Sequence, residues 1–181
     1  MEYLLSIFGA LGGTGSPLGW VAVHKNHHKY SDREGDPHSP RQYGWRILFS
    51  TYKFEFDKWQ VRHLICDPFH LALHNYYHLW IILWAGTLWF ISAKLLIFGF
   101  IIPVTIQLWA SNLSNWGNHL FGYRNFATPE YSTNTWWLAA ITWGEGWHNN
   151  HHRYPNRWNF RHKWWEIDIS SWVIRLLKRA E

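Results

Sequence analysis

Two groups of three histidines repeat one spacing along the chain. One group stands in HKNHH and the other in HNNHH, and both follow the pattern H-x-x-H-H. On a helix, residues at i, i+3 and i+4 share one face, so their three imidazoles can converge on a metal ion. The repeated spacing therefore predicts that both groups bind metal. The six residues are His24, His27, His28, His148, His151 and His152.

His119 is a seventh candidate ligand, because it follows a long apolar segment and should emerge on the same side as both groups. Asn115 lies one helical turn earlier, in NWGNH, and could reach the site directly or through water. The remaining histidines show no such pattern, apart from a helical stripe that leads into an apolar segment and fits a membrane interface. These unassigned residues are His63, His70, His74, His78 and His162.

The types of the candidate ligands limit which metal ions the site could bind. Cys66 is the single cysteine, which excludes a disulfide within the chain and an all-cysteine iron–sulfur or zinc site. Imidazole suits zinc, copper, iron and nickel. A structural zinc site needs about four ligands, whereas this chain offers seven histidines in two matched sets. We therefore predict two metal ions with open positions, which indicates redox or oxygen chemistry.

Four acidic residues are candidate outer partners of the histidines. Imidazoles that bind a metal usually donate their other N–H to a carboxylate or carbonyl group. Asp32 and Asp36 follow the first group closely, Glu145 precedes the second by three residues, and Asp168 follows in WWEID. We predict this role for all four; a place in a loop turn or a helix cap is the alternative for each.

The elements that position these residues include two apolar segments. Between His63 and Tyr123 the only formal charges are Asp67 and Lys94. NYYHLWIILWAGTLWFISA and KLLIFGFIIPVTIQLWASNLSNW are each about one bilayer span of roughly 20 residues. Lys94 lies between them, so they predict a transmembrane helical hairpin, kinked at Pro103. A helical hairpin or a Trp-rich core inside a soluble protein is the alternative.

Composition and charge favour the membrane. Aromatic residues make up 20% of the chain and include 16 Trp, and Trp concentrates at membrane interfaces. Of 17 Lys and Arg residues, only Lys94 lies in the hairpin. Positive charge stays cytoplasmic, so both flanking regions should face the cytoplasm. The net charge of +5 contains no basic run of five or more residues and fits anionic headgroups rather than a nucleic acid.

We therefore predict an all-α membrane protein with one domain over residues 1–181. Residues 1–73 should be cytosolic or interfacial, 74–114 should form the transmembrane hairpin, and 115–181 should be cytosolic. A helical cap on the cytoplasmic face would carry the histidines. Residues 53–67 are expected to form a surface helix.

Three segments resemble the integral-membrane fatty acyl desaturases of the stearoyl, delta-nine type. They are HKNHHKYSDREGDPHSP, NWGNHLFGYRNF and GEGWHNNHHRYPNRWNFRHKWWEIDIS, and the similarity runs from about Met1 to Leu177. The resemblance implies four transmembrane helices under a cytosolic helical cap. It also implies a non-haem diiron site that uses dioxygen and two electrons to insert a double bond into a saturated acyl chain. The ligands it implies are His24, His27, His28, His119, His148, His151 and His152, with Asn115 acting through water.

The resemblance also implies the partners. The substrate would be an acyl group on coenzyme A or on a membrane lipid, held in an apolar tunnel for which Trp147 is a candidate wall residue. The chain carries no Gly-rich dinucleotide motif and no cysteine cluster. Electrons would therefore come from a ferredoxin or a cytochrome b5-like donor.

The sequence departs from this family in one respect. The family has an earlier H-x-x-x-x-H motif with two further ligands, and no such pair precedes His24. We expect an N-terminally truncated desaturase that lacks the first two spanning helices and is inactive by itself. A related diiron fatty acid or alkane hydroxylase, and a non-catalytic metal-binding remnant of a desaturase, are the alternative functions.

Overall fold

A computed structural model describes residues 1–49 and 57–179 of the chain. Regular secondary structure in these ranges is helical, and the only β pairing consists of isolated bridges from Asn134 to Tyr123 and to Trp147. The all-α prediction is thus confirmed for these residues. The α-helices are α1 (Glu2–Leu11), α2 (Pro17–Tyr30), α3 (Pro40–Tyr43), α4 (Arg62–Ile65), α5 (Pro68–Asn75), α6 (Tyr77–Ile91), α7 (Ala93–Gly117), α8 (Trp136–Ile141), α9 (His148–Arg153) and α10 (Ile169–Arg179).

Short 3₁₀ helices cover Gly44–Phe49 and Lys58–Val61. The surface helix expected over 53–67 therefore appears as the 3₁₀ turn Lys58–Val61 followed by α4, and residues 53–56 lie outside the described ranges. A break in the helix after α4 is explained by Asp67. Its carboxylate accepts a hydrogen bond from Phe69 N at 2.8 Å and so caps α5, which begins at Pro68.

The two apolar segments form α6 and α7, and Ser92 alone separates them in extended conformation. The Ser92 hydroxyl accepts from Lys94 N and caps α7. Helix α7 has 25 residues and is long and apolar enough to cross a membrane, and none of its apolar window is buried. Helix α6 has 15 residues, which is short of a full span on its own. The transmembrane hairpin therefore stays a prediction.

A π-helical turn interrupts α7 at Ile97–Ile101. Pro103 lies two residues after the end of this turn. A proline inside a helix has no N–H to donate and presses its ring against the preceding turn. The wider π turn makes room for that ring, so the helix continues to Gly117. The kink expected at Pro103 stays a prediction.

The chain divides into two compact units, Met1–Asn26 with Phe54–Trp109 and His27–Lys53 with Ala110–Glu181. Both α2 and α7 run through a boundary between the units. The predicted segments 1–73, 74–114 and 115–181 describe placement in a membrane, which this division does not test, so they stay a prediction.

In the first unit, the histidine stripe of α5 makes contacts inside the protein. His70 is buried, and its Nε2 lies 3.0 Å from Glu2 Oε1 of α1. His74 Nδ1 lies 2.7 Å from the Ser16 hydroxyl at the start of α2. These two histidines hold α1 and α2 against α5.

Candidate metal centre

Both histidine groups lie on helices, as their spacing predicts. Helix α2 carries His24, His27 and His28, and α9 begins with His148 and carries the other group. Helix α9 follows a tight turn at Gly146, where an added Cβ would clash with the backbone of Ala139. The glycine therefore lets the histidine helix start close to α8.

Four imidazoles of the second unit converge on one point. Each offers a ring nitrogen, and these four nitrogens all lie within 4.8 Å of one another. The Nε2 atom of His152 lies 3.3 Å from that of His27 and 3.0 Å from that of His148. The His119 ring completes the group, which we call the four-histidine cluster: His27, His119, His148 and His152.

A second pair of imidazoles lies beside this cluster. The Nε2 atoms of His28 and His151 are 2.8 Å apart, and the rings of His28 and His152 stack with centroids 4.4 Å apart. His24 belongs to the other unit, where its ring stacks on Trp20. It precedes His28 by one helical turn of α2.

Burial favours the neutral form of His27, His28 and His148. Desolvation and neighbouring histidines hold the pKa values of His27 and His148 well below their ordinary value. Desolvation also lowers the pKa of His28 to about 4. A neutral imidazole has a free lone pair, which is the form that binds a metal ion.

Two predicted outer partners contact the cluster directly. Asp36 is fully buried, and its Oδ1 accepts from His27 Nδ1 at 2.8 Å. Burial raises the pKa of Asp36 to about 6, so the group is mostly ionised at neutral pH. Asp32 Oδ2 accepts from His119 Nδ1 at 2.7 Å. Both bonds place the hydrogen on Nδ1 and leave the Nε2 lone pair of the histidine for a metal.

Burial and hydrogen bonding oppose each other at Asp32. Burial raises its pKa, but the hydrogen bond and charge of His119, with donation from Tyr131 N and the Ser39 hydroxyl, lower it below the ordinary value. Asp32 adopts a positive φ of 60° just after α2 ends, and its backbone N–H donates to Asp36 Oδ2 at 2.7 Å. The loop thus carries both carboxylates back to the histidines.

The other two predicted partners lie elsewhere. Asp168 accepts hydrogen bonds from Ser171 N and Phe160 N, each within 2.9 Å, and caps α10. Glu145 is exposed, and its carbonyl oxygen accepts from Asn118 Nδ2. These contacts correspond to the alternative of a cap or turn, so we do not include Glu145 and Asp168 in the site.

Glu130 was missed by the sequence reasoning. It is buried, and its Oε1 lies 3.7 Å from His152 Nδ1. Its carboxylate also accepts from the backbone N–H and hydroxyl of Ser132. Glu130 stands alone in TPEYS, far from both histidine groups, so no spacing could have revealed it.

The two asparagines within HNNHH were also missed. Asn149 Oδ1 accepts from Asn125 N and Phe126 N at 2.9 Å. Asn150 Nδ2 donates to Glu166 Oε2 at 2.9 Å and to Phe160 O. Their place inside the motif was a usable signal, because an asparagine that is buried beside a candidate metal ligand must find hydrogen-bond partners.

Glu166 closes this network. It is fully buried and accepts hydrogen bonds from several donors of the same unit. The donors are Tyr123 OH, Asn125 Nδ2, Asn150 Nδ2, His162 N and Lys163 N. Glu166 stands two residues before Asp168 in WWEID, the segment in which the sequence analysis had selected only Asp168.

Asn115 and Trp147 have less direct relations to the cluster. Asn115 is half-buried near the end of α7, and His119 lies two residues beyond that helix, in a turn. Trp147 is buried, and its Nε1 donates to Ile167 O at 2.8 Å. The water-mediated role of Asn115 and the tunnel role of Trp147 stay predictions.

The arrangement fits a metal ion. Among the residues that the structure describes, the buried atoms His119 Nε2 and His148 Nδ1 have no hydrogen-bond partner. Burying an unpaired polar atom is costly. The four-histidine cluster also brings several lone pairs together, and their mutual repulsion is relieved by a cation. Imidazole donors with carboxylates behind them suit iron, zinc and copper.

The sequence of this chain is similar to that of one family of known proteins over nearly its whole length. The fatty acid desaturase family matches residues 2–175. The sn-2 palmitoyl-lipid 9-desaturase of Nostoc sp. is 35% identical and the sn-1 stearoyl-lipid 9-desaturase of Anabaena variabilis is 32% identical, each over 98% of this chain. The delta-9 acyl-lipid desaturase 1 of Arabidopsis thaliana is 33% identical over 98% of the chain. The chain spans 66%, 68% and 61% of the lengths of these relatives.

Proposed function

We propose, because the chain belongs to the fatty acid desaturase family, that it acts in an oxygen-dependent diiron desaturase. The reaction introduces a double bond into a saturated fatty acyl chain. Two hydrogens of the acyl chain, with two electrons and two protons from a donor, reduce dioxygen to two waters. The observation that carries the proposal is the four-histidine cluster, whose nitrogens lie within 4.8 Å of one another.

Two iron ions would be shared among the histidines. The proposed ligands of one iron come from the four-histidine cluster, and those of the other include His28 and His151, whose Nε2 atoms are 2.8 Å apart. We include His24 as the third histidine of its H-x-x-H-H group, and Asn115 would act through water. Bound iron would supply the activation of dioxygen that attack on an unactivated methylene requires.

The protein's own residues prepare the ligands. Asp36 and Asp32 hold the Nδ1 hydrogens of His27 and His119 and so direct the Nε2 lone pairs inward. Glu130 takes the corresponding position behind His152. Burial of His27 and His148 excludes water and lowers their pKa, which favours the neutral form that binds metal.

The substrate class follows from the relatives. Their names specify acyl lipids and a double bond at position 9, which supports an acyl lipid over acyl coenzyme A here. The donor would be a ferredoxin or a cytochrome b5-like protein. A separate donor fits a chain with one cysteine and no dinucleotide motif.

The proposed location is the membrane, with the histidines on the cytoplasmic face. Helix α7 supports it by length and exposure, and exposed apolar side chains continue along α6, for example Phe90 and Ile91. An unpartnered apolar surface of this size is unusual for a soluble protein.

The reaction can be tested in a chimera. The chain would replace the corresponding part of the sn-2 palmitoyl-lipid 9-desaturase and be expressed in a desaturase-deficient host with a working electron donor. New double bonds in the lipid acyl chains that disappear with His148→Ala would support the proposal. Hydroxylated acyl chains would favour the hydroxylase alternative. An iron-loaded chimera that gives neither product would contradict it.

A further inference from the structure

Helix α10 exposes its apolar face. Trp172, Val173 and Leu176 lie at spacings of one, three and four residues, which places them on one side of the helix. Trp172 is 54% exposed and Leu176 is 66% exposed, whereas Ser171 on another side is buried. A helix of a water-soluble unit normally shows the reverse arrangement, with its apolar stripe facing the core.

Two neighbouring apolar residues extend this face. Ser170 N donates to Trp143 O at 2.9 Å, which ties Trp143 to the start of α10. Trp147 Nε1 donates to the carbonyl of Ile167, just before the helix. Trp143 and Ile167 are both exposed. We call these five residues the α10 face: Trp143, Ile167, Trp172, Val173 and Leu176.

The charges of α10 are all of one sign. The helix sequence, ISSWVIRLLKR, has three basic residues and no acidic one, and the Arg175 and Lys178 side chains are exposed. An amphipathic helix with Trp and Leu on one side and basic residues on the other is typical of helices that lie in a membrane interface. Basic residues next to a bilayer are attracted by anionic headgroups.

We propose that the α10 face lies in the boundary between headgroups and acyl chains of an anionic bilayer, with Arg175 and Lys178 at the phosphates. This inference rests on the proposed membrane location and adds a lipid contact outside the predicted transmembrane hairpin. A symmetric contact with a second copy would bring the same basic helix against itself, and like charges oppose such a pairing. An anionic bilayer complements both the apolar side and the basic residues of α10.

Spin labels can locate the helix in the full chain, reconstituted in nanodiscs. In a Cys66→Ser background, single cysteines would be placed by Leu176→Cys, by Lys178→Cys on the same helix as a matched control, and by Phe98→Cys in α7 as a membrane reference. Power saturation would compare accessibility to oxygen, which partitions into lipid, with accessibility to a water-soluble nickel chelate. The nanodiscs would contain phosphatidylcholine with or without phosphatidylglycerol.

The label at 176 should be open to oxygen and shielded from nickel, at a depth of about 5–10 Å, and the label at 178 should show the opposite. Phosphatidylglycerol in the nanodiscs should increase the depth of the label at 176 in the bilayer. Equal nickel access at 176 and 178 would overturn the inference by placing the α10 face in water. Shielding of 176 from both reagents would overturn it by showing a protein cover. A label at 98 that lies in water would refute the membrane location as well, whereas a label at 98 in lipid confines the failure to α10.

Discussion

Asp32 accepts a hydrogen bond from His119 at 2.7 Å, although 87 positions separate the two residues along the chain. The bond joins the loop after the first histidine helix to the turn that follows α7. It fixes the Nδ1 hydrogen of His119 and leaves its buried Nε2 atom for a metal. The proposed metal centre would therefore depend on the Asp32 carboxylate through its bond to His119.

Replacing Asp32 should weaken metal binding without removing a ligand. We expect Asp32→Asn to lower metal affinity by roughly 10–100-fold, because the amide is a weaker acceptor for the His119 Nδ1 hydrogen. Competition with a chelator measures the affinity. Glu34→Gln, in the same loop and exposed, is the matched control and should bind like the wild type. An Asp32→Asn protein with wild-type affinity would show that this bond does not support the site.

Substitutions of Glu130 and Glu145 are expected to have opposite effects on metal binding. Glu130 lies 3.7 Å from His152 Nδ1, and Glu145 is exposed. Glu130→Gln should therefore reduce metal affinity and change the absorption or Mössbauer spectrum of bound iron. Glu145→Gln should leave both unchanged. The reverse result would restore the role that the sequence predicted for Glu145 and remove Glu130 from the site.

The Glu166 network should contribute strongly to stability. Glu166→Gln replaces a buried acceptor of several hydrogen bonds, and each bond to a charged group contributes about 1.5–3 kcal/mol. We expect a clear fall in the melting temperature of the metal-free protein at pH 7. Asp57→Asn, whose carboxylate caps an exposed 3₁₀ turn, is a control with a small expected effect.

The same substitution should change the pH dependence of stability. Burial raises the pKa of Glu166, but its hydrogen bonds outweigh burial and hold the pKa below the ordinary value. The stabilisation is then complete above the unfolded pKa of 4.5 and is lost as pH falls through the folded pKa. Thermal melts between pH 3 and 6 should show a steeper acid loss for the wild type than for Glu166→Gln. Parallel curves would mean that the network does not depend on the charge.

The sequence predicted the helices and the two histidine groups because both depend on local spacing. H-x-x-H-H already defines one helix face, and the apolar run around Lys94 already defines α6 and α7. Asp36 was predictable because it follows its partner His27 by only nine residues. Asp32 was selected for the same closeness to the first group, but its partner is the distant His119.

Glu130 and Glu166 were not predictable, since their partners come from distant turns. The spacing of residues along the sequence does not show which loop folds back on a histidine. Glu145 and Asp168 were therefore selected only by their positions near the second histidine group in the sequence. The sequence also did not show whether the apolar face of α10 points toward the protein core or away from it. A hydrophobic stripe at helical spacing has the same pattern whether it faces a core or a membrane.

The predicted membrane topology can be tested by the side from which single cysteines react. In a Cys66→Ser background, cysteines at Glu34 and Asn156 should react with an impermeant reagent from the cytoplasmic side, and a cysteine at Lys94 should react from the other side. All three positions are exposed. Reaction of Glu34→Cys and Asn156→Cys from opposite sides would exclude a shared metal centre.

The iron content of the purified chain tests the central claim most directly. Wild-type protein should bind two irons per chain, and His148→Ala should lose iron because it removes a buried member of the four-histidine cluster. His63→Ala removes an exposed, unassigned histidine and should keep the wild-type content. Equal iron in His148→Ala and His63→Ala, or zinc in place of iron in the wild type, would contradict a diiron centre at these histidines.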